Sequence, residues 1–177
     1  MNQKLGRKSR DKASIMASGE RCIYCGDPAN RLEHMPPIGM FRKRDRPSGM
    51  EYPSCDACNN GTSAADSVAS FIARIDQQGG MGDWRTQEAI AQRGMLEAIA
   101  PGFISELFHE DKAEDQWIQK DGVLQRFTVV RADGLLTKAY LNVFSAKLAM
   151  AMYREHIGEA LPLDGAVQTS PSYSRWA

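Results

Sequence analysis

The chain has 177 residues, of which 42% are hydrophobic, so it is long enough to build a core and is not disordered throughout. No apolar run approaches the ~18 residues of a membrane span. The opening MNQKLGRKSRDK is basic with no apolar stretch behind it, which argues against a secretory signal and makes a cytoplasmic location the expectation. The formal net charge of zero hides a division: residues 1–46 hold eleven Lys/Arg against five Asp/Glu, a balance of +6, and the rest of the chain compensates. Basic charge gathered at one end suits a polyanion, although a solvated basic tail has the same composition.

In chain order, residues 1–20 read as a flexible basic arm. All four cysteines follow, as two Cys-x-x-Cys pairs, Cys22/Cys25 and Cys55/Cys58. Disulfides are disfavoured in a reducing compartment. Two thiolates two residues apart can hold one ion from a tight turn, and two such knuckles complete a tetrahedral site. Two redox pairs are the other reading, but with every cysteine used in matched spacing the expectation is structural zinc. Asp27-Pro28-Ala29-Asn30 marks a turn. A short strand-like run ends in Leu32-Glu33-His34, and Pro36-Pro37 should stop regular pairing there. The densest basic cluster, Phe41 to Pro47, is a loop. Its Arg42, Lys43, Arg44 and Arg46 are candidate phosphate contacts.

Beyond the second knuckle, Val68, Phe71, Ile72 and Ile75 recur at helical spacing and predict a helix over Ser63–Gln77, with Ser63 and Asp66 as a weak capping pattern. Gly79-Gly80 and Gly82 mark the best boundary in the chain, between a module at 21–78 and a region at 83–177. A helix over Trp84–Ala100 is expected next, then a short one around Phe103–His109. A hairpin turning at Asp121-Gly122 lies within Trp117–Arg131. A long helix runs from Leu135 to about His156, its apolar stripe outlined by Tyr140, Val143, Phe144, Lys147/Leu148, Ala151 and Met152. Met150 and Met152 read as core, Tyr24 as packing for the zinc module, Asp66 as a cap or solvated group, and His109 and His156 as surface groups. The last region suggests no function by its residues; it leaves substrate selection, a homodimer or a protein partner open.

The loop between the knuckles is 29 residues long, more than a plain zinc ribbon needs, and it carries Glu33-His34; Asn59 directly follows the last cysteine. Zinc would therefore hold the strand bearing Glu33-His34 against the segment bearing Asn59. Phosphodiester hydrolysis needs those residue types. A carboxylate from Glu33 and an amide oxygen from Asn59 are hard ligands suited to Mg²⁺ or Mn²⁺, which keep waters and take phosphate oxygens as further ligands. A neutral histidine, with an ordinary pKa of about 6.5, suits the proton of the attacking water, and His34 stands beside the carboxylate. Adjacent strand residues face opposite ways, so serving one phosphate would require the backbone to leave strand geometry there.

Cys-x-x-Cys, an acidic residue before His with Pro close behind, then Cys-x-x-Cys-Asn, resembles the HNH endonucleases, in particular the Cys₄ branch that includes phage endonuclease VII. The resemblance spans residues 21–75. It implies an α+β chain: a zinc-stapled ββα-metal finger followed by a mainly helical region with one β-hairpin. It also implies structural Zn²⁺ on the four cysteines, catalytic Mg²⁺ or Mn²⁺ on Glu33 and Asn59, and His34 as general base. DNA is then the substrate, with RNA left open, and cleavage leaves 5′-phosphate and 3′-hydroxyl ends. Two departures stand out. The acidic residue is Glu where Asp is usual, and no further His lies between His34 and His109. The alternative is a zinc module that binds nucleic acid or protein without catalysis.

Overall fold

The computed structural model describes residues 18–42, 45–47, 49–75 and 84–169. Within them the chain is mixed α/β, with two small antiparallel sheets and five α-helices. Residues 1–17 of the basic arm and the glycine-rich boundary at 79–82 lie outside the described residues.

Strand β1 (Arg31–His34) pairs antiparallel with β2 (Glu51–Ser54), with Glu33 opposite Tyr52 and His34 opposite Glu51. One more bond, Met35 N–H to Met50 O at 3.2 Å, follows, and the Met35-Pro36 peptide is cis. Pairing therefore stops where the prolines predict. A 3-10 turn (Ile38–Met40) then packs on the second helix, so closely that a Cβ on Gly39 would lie 3.0 Å from Ser70 Oγ.

Helix α1 (Asp56–Gly61) begins inside the second knuckle and was not foreseen. Its six residues are too few for apolar periodicity to show, and it is held at its start by side chains. Asn30 Nδ2 donates to Asp56 Oδ2 at 2.8 Å, Asn30 Oδ1 accepts from Asp56 N–H at 2.9 Å, and Arg31 pairs with the same carboxylate. Thr62 breaks the helix, and α2 (Ser63–Arg74) follows.

The remaining elements are α3 (Trp84–Ile99), α4 (Phe103–Leu107), the hairpin β3 (Ala113–Lys120) and β4 (Val123–Val130) turning at Asp121-Gly122, and α5 (Leu135–Ile157). The hairpin carries exposed Trp117, Val123 and Leu124. Helix α5 ends at Gly158, whose φ of +87° is the left-handed cap that glycine adopts without strain.

The two halves expected on either side of residues 79–82 share one core. Val68 and Phe71 of α2 pack with Ala89 and Leu96 of α3 and with Phe103, Ile104 and Leu107 of α4. Phe71 meets Phe103 edge-on at 5.9 Å between ring centroids. A second cluster joins Ile23, Met35 and Tyr52 of the cysteine module to Ala151 of α5. The face α5 buries differs from the expected stripe: Thr137, Leu141, Lys147 and Ala151 are enclosed, whereas Val143 and Met152 are exposed. Met152 is thus not core. The rest of the expected stripe holds: Tyr140, Phe144 and Leu148 pack against the two clusters, and Lys147 and Ala151 are enclosed.

Candidate functional site

The four cysteines converge. Each Sγ lies within 4.8 Å of the other three, and Cys25 Sγ is 3.6 Å from Cys55 Sγ. Tetrahedral zinc with Zn–S of about 2.3 Å separates its sulfurs by roughly 3.8 Å, so the cluster has the size the ion demands. Backbone bonds shape both knuckles. Gly26 N–H donates to Cys22 O at 2.9 Å, with Gly26 at φ +76° closing the turn. Cys58 N–H donates to Cys55 Sγ at 3.4 Å. Ile23 N–H to Pro53 O at 3.1 Å ties the first knuckle to β2. Burial pushes the Cys25 thiol up to about 11, while the Cys58 N–H, joined by neighbouring thiols, draws Cys55 down. Burial also raises the Cys58 thiol, so metal loading must displace protons from these sulfurs.

Glu33 points inward and is buried, and its Oε1 accepts from the following His34 N–H at 3.3 Å. His34 is half-buried. The strand remains regular through His34, so the expected departure from strand geometry at Glu33-His34 does not occur. The irregularity comes one residue later, at the cis Met35-Pro36 peptide. Asn59 is half-buried on α1, where its N–H donates to Cys55 O at 2.9 Å. Asn59 and Asp66 stand on separate helices, α1 and α2, divided at Thr62.

Lys147, from the middle of α5, is buried with its Nζ 3.3 Å from Glu33 Oε2 and 2.6 Å from Asp66 Oδ2. The same Nζ lies 5.6 Å from the centroid of the Tyr24 ring. Asp66 is therefore neither a cap nor solvated: it turns inward to a lysine 81 residues away in sequence. Burial raises the carboxyl groups of Glu33 and Asp66, with Lys147 opposing the rise at both. Burial also raises the Tyr24 phenol, which stays neutral. Lys147 was legible only as a charged residue in an otherwise apolar stripe, a placement that signals a buried partner.

The basic loop divides. Arg42 is exposed, and Lys43 and Arg44 lie outside the described residues. Arg46 is enclosed: it bonds Met50 O at 3.1 Å and pairs with the buried Glu51. Its charge is already neutralised inside the fold, so it is not available to a phosphate. His109 is an exposed N-cap, its Nδ1 accepting from Asp111 N–H at 3.4 Å, and His156 is also exposed.

No protein-family model, curated protein or solved structure matches the chain. No helix among the described residues is long and apolar enough to cross a membrane.

Proposed function

We propose that the chain is a metal-dependent endonuclease of the HNH type acting on DNA. The observation that carries this reading is the cysteine cluster. It fastens the β1–β2 hairpin bearing Glu33 and His34 to the helix bearing Asn59, in the order hairpin, then helix. Zinc binding requires none of those three residues, and they supply the ligand and base types that hydrolysis uses; the regular strand turns Glu33 and His34 to opposite faces, which weighs against a shared phosphate.

In this reading the four cysteines hold Zn²⁺ as a structural staple. Glu33 and Asn59 offer hard oxygen donors to Mg²⁺ or Mn²⁺. Such a cation neutralises the scissile phosphate and the leaving oxygen. His34, at the end of β1, takes the proton from the attacking water. Arg42, with Lys43 and Arg44, neutralises flanking phosphates.

A second reading, a zinc module that binds without cleaving, is favoured by one observation: the Glu33 carboxylate already has the Lys147 ammonium beside it. Incubating plasmid DNA with the zinc-loaded protein and Mg²⁺ or Mn²⁺ separates the two. Nicking by the wild type and its loss in His34→Ala support the nuclease. Binding without nicking by the wild type supports the module.

A further inference from the structure

The Glu33, Asp66 and Lys147 side chains come from β1, α2 and α5, three elements with no local reason to place charge at one point. Glu33 and Lys147 are deeply buried, with side-chain exposures of 6% and 5%, and Asp66 is partly so at 16%. Two ionised carboxylates and one ammonium leave one negative charge uncompensated. Glu33 Oε2 has the Lys147 ammonium at 3.3 Å, whereas the buried Asp66 Oδ1 has no hydrogen-bond partner among the described residues. Buried oxygens left in this way are costly unless something else satisfies them. Either a proton or a further cation removes the surplus charge. Asp66 also lines a surface cleft between the Pro37–Gly39 turn and the Ser67–Ser70 face of α2, which gives a hydrated ion a route to it.

We propose that Glu33 and Asp66 together form a divalent-cation site, and that Lys147 is its resident counter-ion, held between the two carboxylates until a cation takes its place. The inference deepens the nuclease reading by adding Asp66 to Glu33 as a ligand, and it makes helix α5 part of the site. The donors are hard oxygens, suiting Mg²⁺ or Mn²⁺ rather than zinc. Lys147 keeps two like charges together in the metal-free protein, where their repulsion would otherwise open the α2–α5 contact. It also lowers cation affinity, because the ammonium must move away from the incoming charge. A flexible four-carbon stem permits that movement without shifting the helix.

The test is Mn²⁺ binding to zinc-loaded full-length protein, followed by loss of the free Mn²⁺ paramagnetic resonance signal. This readout does not depend on cleavage, so a chain that binds Mn²⁺ at this site but leaves plasmid intact would refute the nuclease and keep the cation site. The expected results are one Mn²⁺ per wild-type chain, affinity weakened roughly 10-fold or more in Asp66→Asn, and tighter binding in Lys147→Met. Mn²⁺ should also raise the melting temperature of Lys147→Met more than that of the wild type, since the ion then replaces the lost ammonium. Should Lys147→Met not fold, wild type against Asp66→Asn decides alone, because Lys147 keeps Glu33 as partner in that variant. Equal Mn²⁺ affinity in wild type and Asp66→Asn would overturn the proposal and leave Lys147 as a structural staple between the two carboxyl groups.

Discussion

Glu106 Oε1 accepts hydrogen bonds from both the backbone N–H and the hydroxyl of Thr137, at 2.8 and 2.9 Å, while its Oε2 accepts from Leu136 N–H at 2.9 Å. Helix α5 has Gly134 at its N-cap, which has no side chain to cap with. A carboxylate from α4 supplies the missing acceptor and opposes the positive end of the helix dipole. The approach is so close that a Cβ on residue 134 would lie 2.1 Å from the carboxyl group. Since α5 delivers Lys147, this cap positions the candidate site from a distance.

Glu106→Gln should therefore cost about 1–3 kcal/mol at neutral pH, since an amide cannot accept at all three positions. Burial alone would raise this carboxyl; the Thr137 and Leu136 donors outweigh it and hold it below the usual range. For a depressed carboxyl, the stability is present above the unfolded value of about 4.3 and is lost as pH falls through the folded value. Urea unfolding should show the full wild-type advantage at pH 6–8 and a shrinking one below about pH 4. An advantage that grew on acidification would refute the assignment. Gly134→Ala should be destabilising at every pH, because its clash is steric.

The knuckles predict one zinc per chain. Cys55→Ser removes a ligand and also the sulfur that accepts from Cys58 N–H at the start of α1. Elemental analysis should find the zinc lost, and circular dichroism should show the module around residues 21–75 unfolded, because metal binding and folding are linked in such small cores. A strong chelator should unfold the wild type in the same way. Folded wild-type protein free of zinc would contradict this.

Arg46 and Arg42 should behave differently although they are four residues apart. Arg46→Ala strands Glu51 in the interior, an effect of about 3–5 kcal/mol for a broken buried pair, and thermal unfolding would read it. Changing Arg42, Lys43 and Arg44 to Ala should leave stability close to wild type, weaken DNA binding for all sequences, and flatten the salt dependence by about 0.9 per lost phosphate contact. Salt titrations with an unchanged slope would mark the loop as a solvated face.

These contrasts show which features the sequence carries locally. Both knuckles, the Asp121-Gly122 turn, the proline stop after His34 and the long last helix announce themselves within a few residues, because spacing, glycine and proline act on their own backbone. Helix α1 did not, since it is set by Asn30 and Arg31 reaching across to Asp56. Helix α5 was legible in most of its stripe, but not in what encloses Lys147: its partners Glu33 and Asp66 lie far away in the chain. The basic cluster read as one unit because composition does not say that Arg46 will be enclosed with Glu51.

His34→Ala should abolish cleavage while keeping zinc content, fold and DNA affinity near wild type, because a general base acts on water in the transition state and adds little to ground-state binding. The loss should be about 10²–10⁴ in rate. Asn59→Ala should also be inactive, through weakened hold on the cation, so part of its activity should return at high Mn²⁺ where that of His34→Ala does not. Glu33→Asp shortens the side chain by one methylene. That withdraws the carboxylate from Lys147 as well as from the cation, so it should raise the Mn²⁺ concentration needed for half-maximal nicking more than it lowers the rate at saturation. Measuring nicking of supercoiled plasmid across a Mn²⁺ series for all four proteins separates these effects. His34→Ala protein that nicks at the wild-type rate, after removal of contaminating nuclease, would refute the base assignment; a wild type that binds DNA without nicking it would leave the chain as a zinc-stapled binding module.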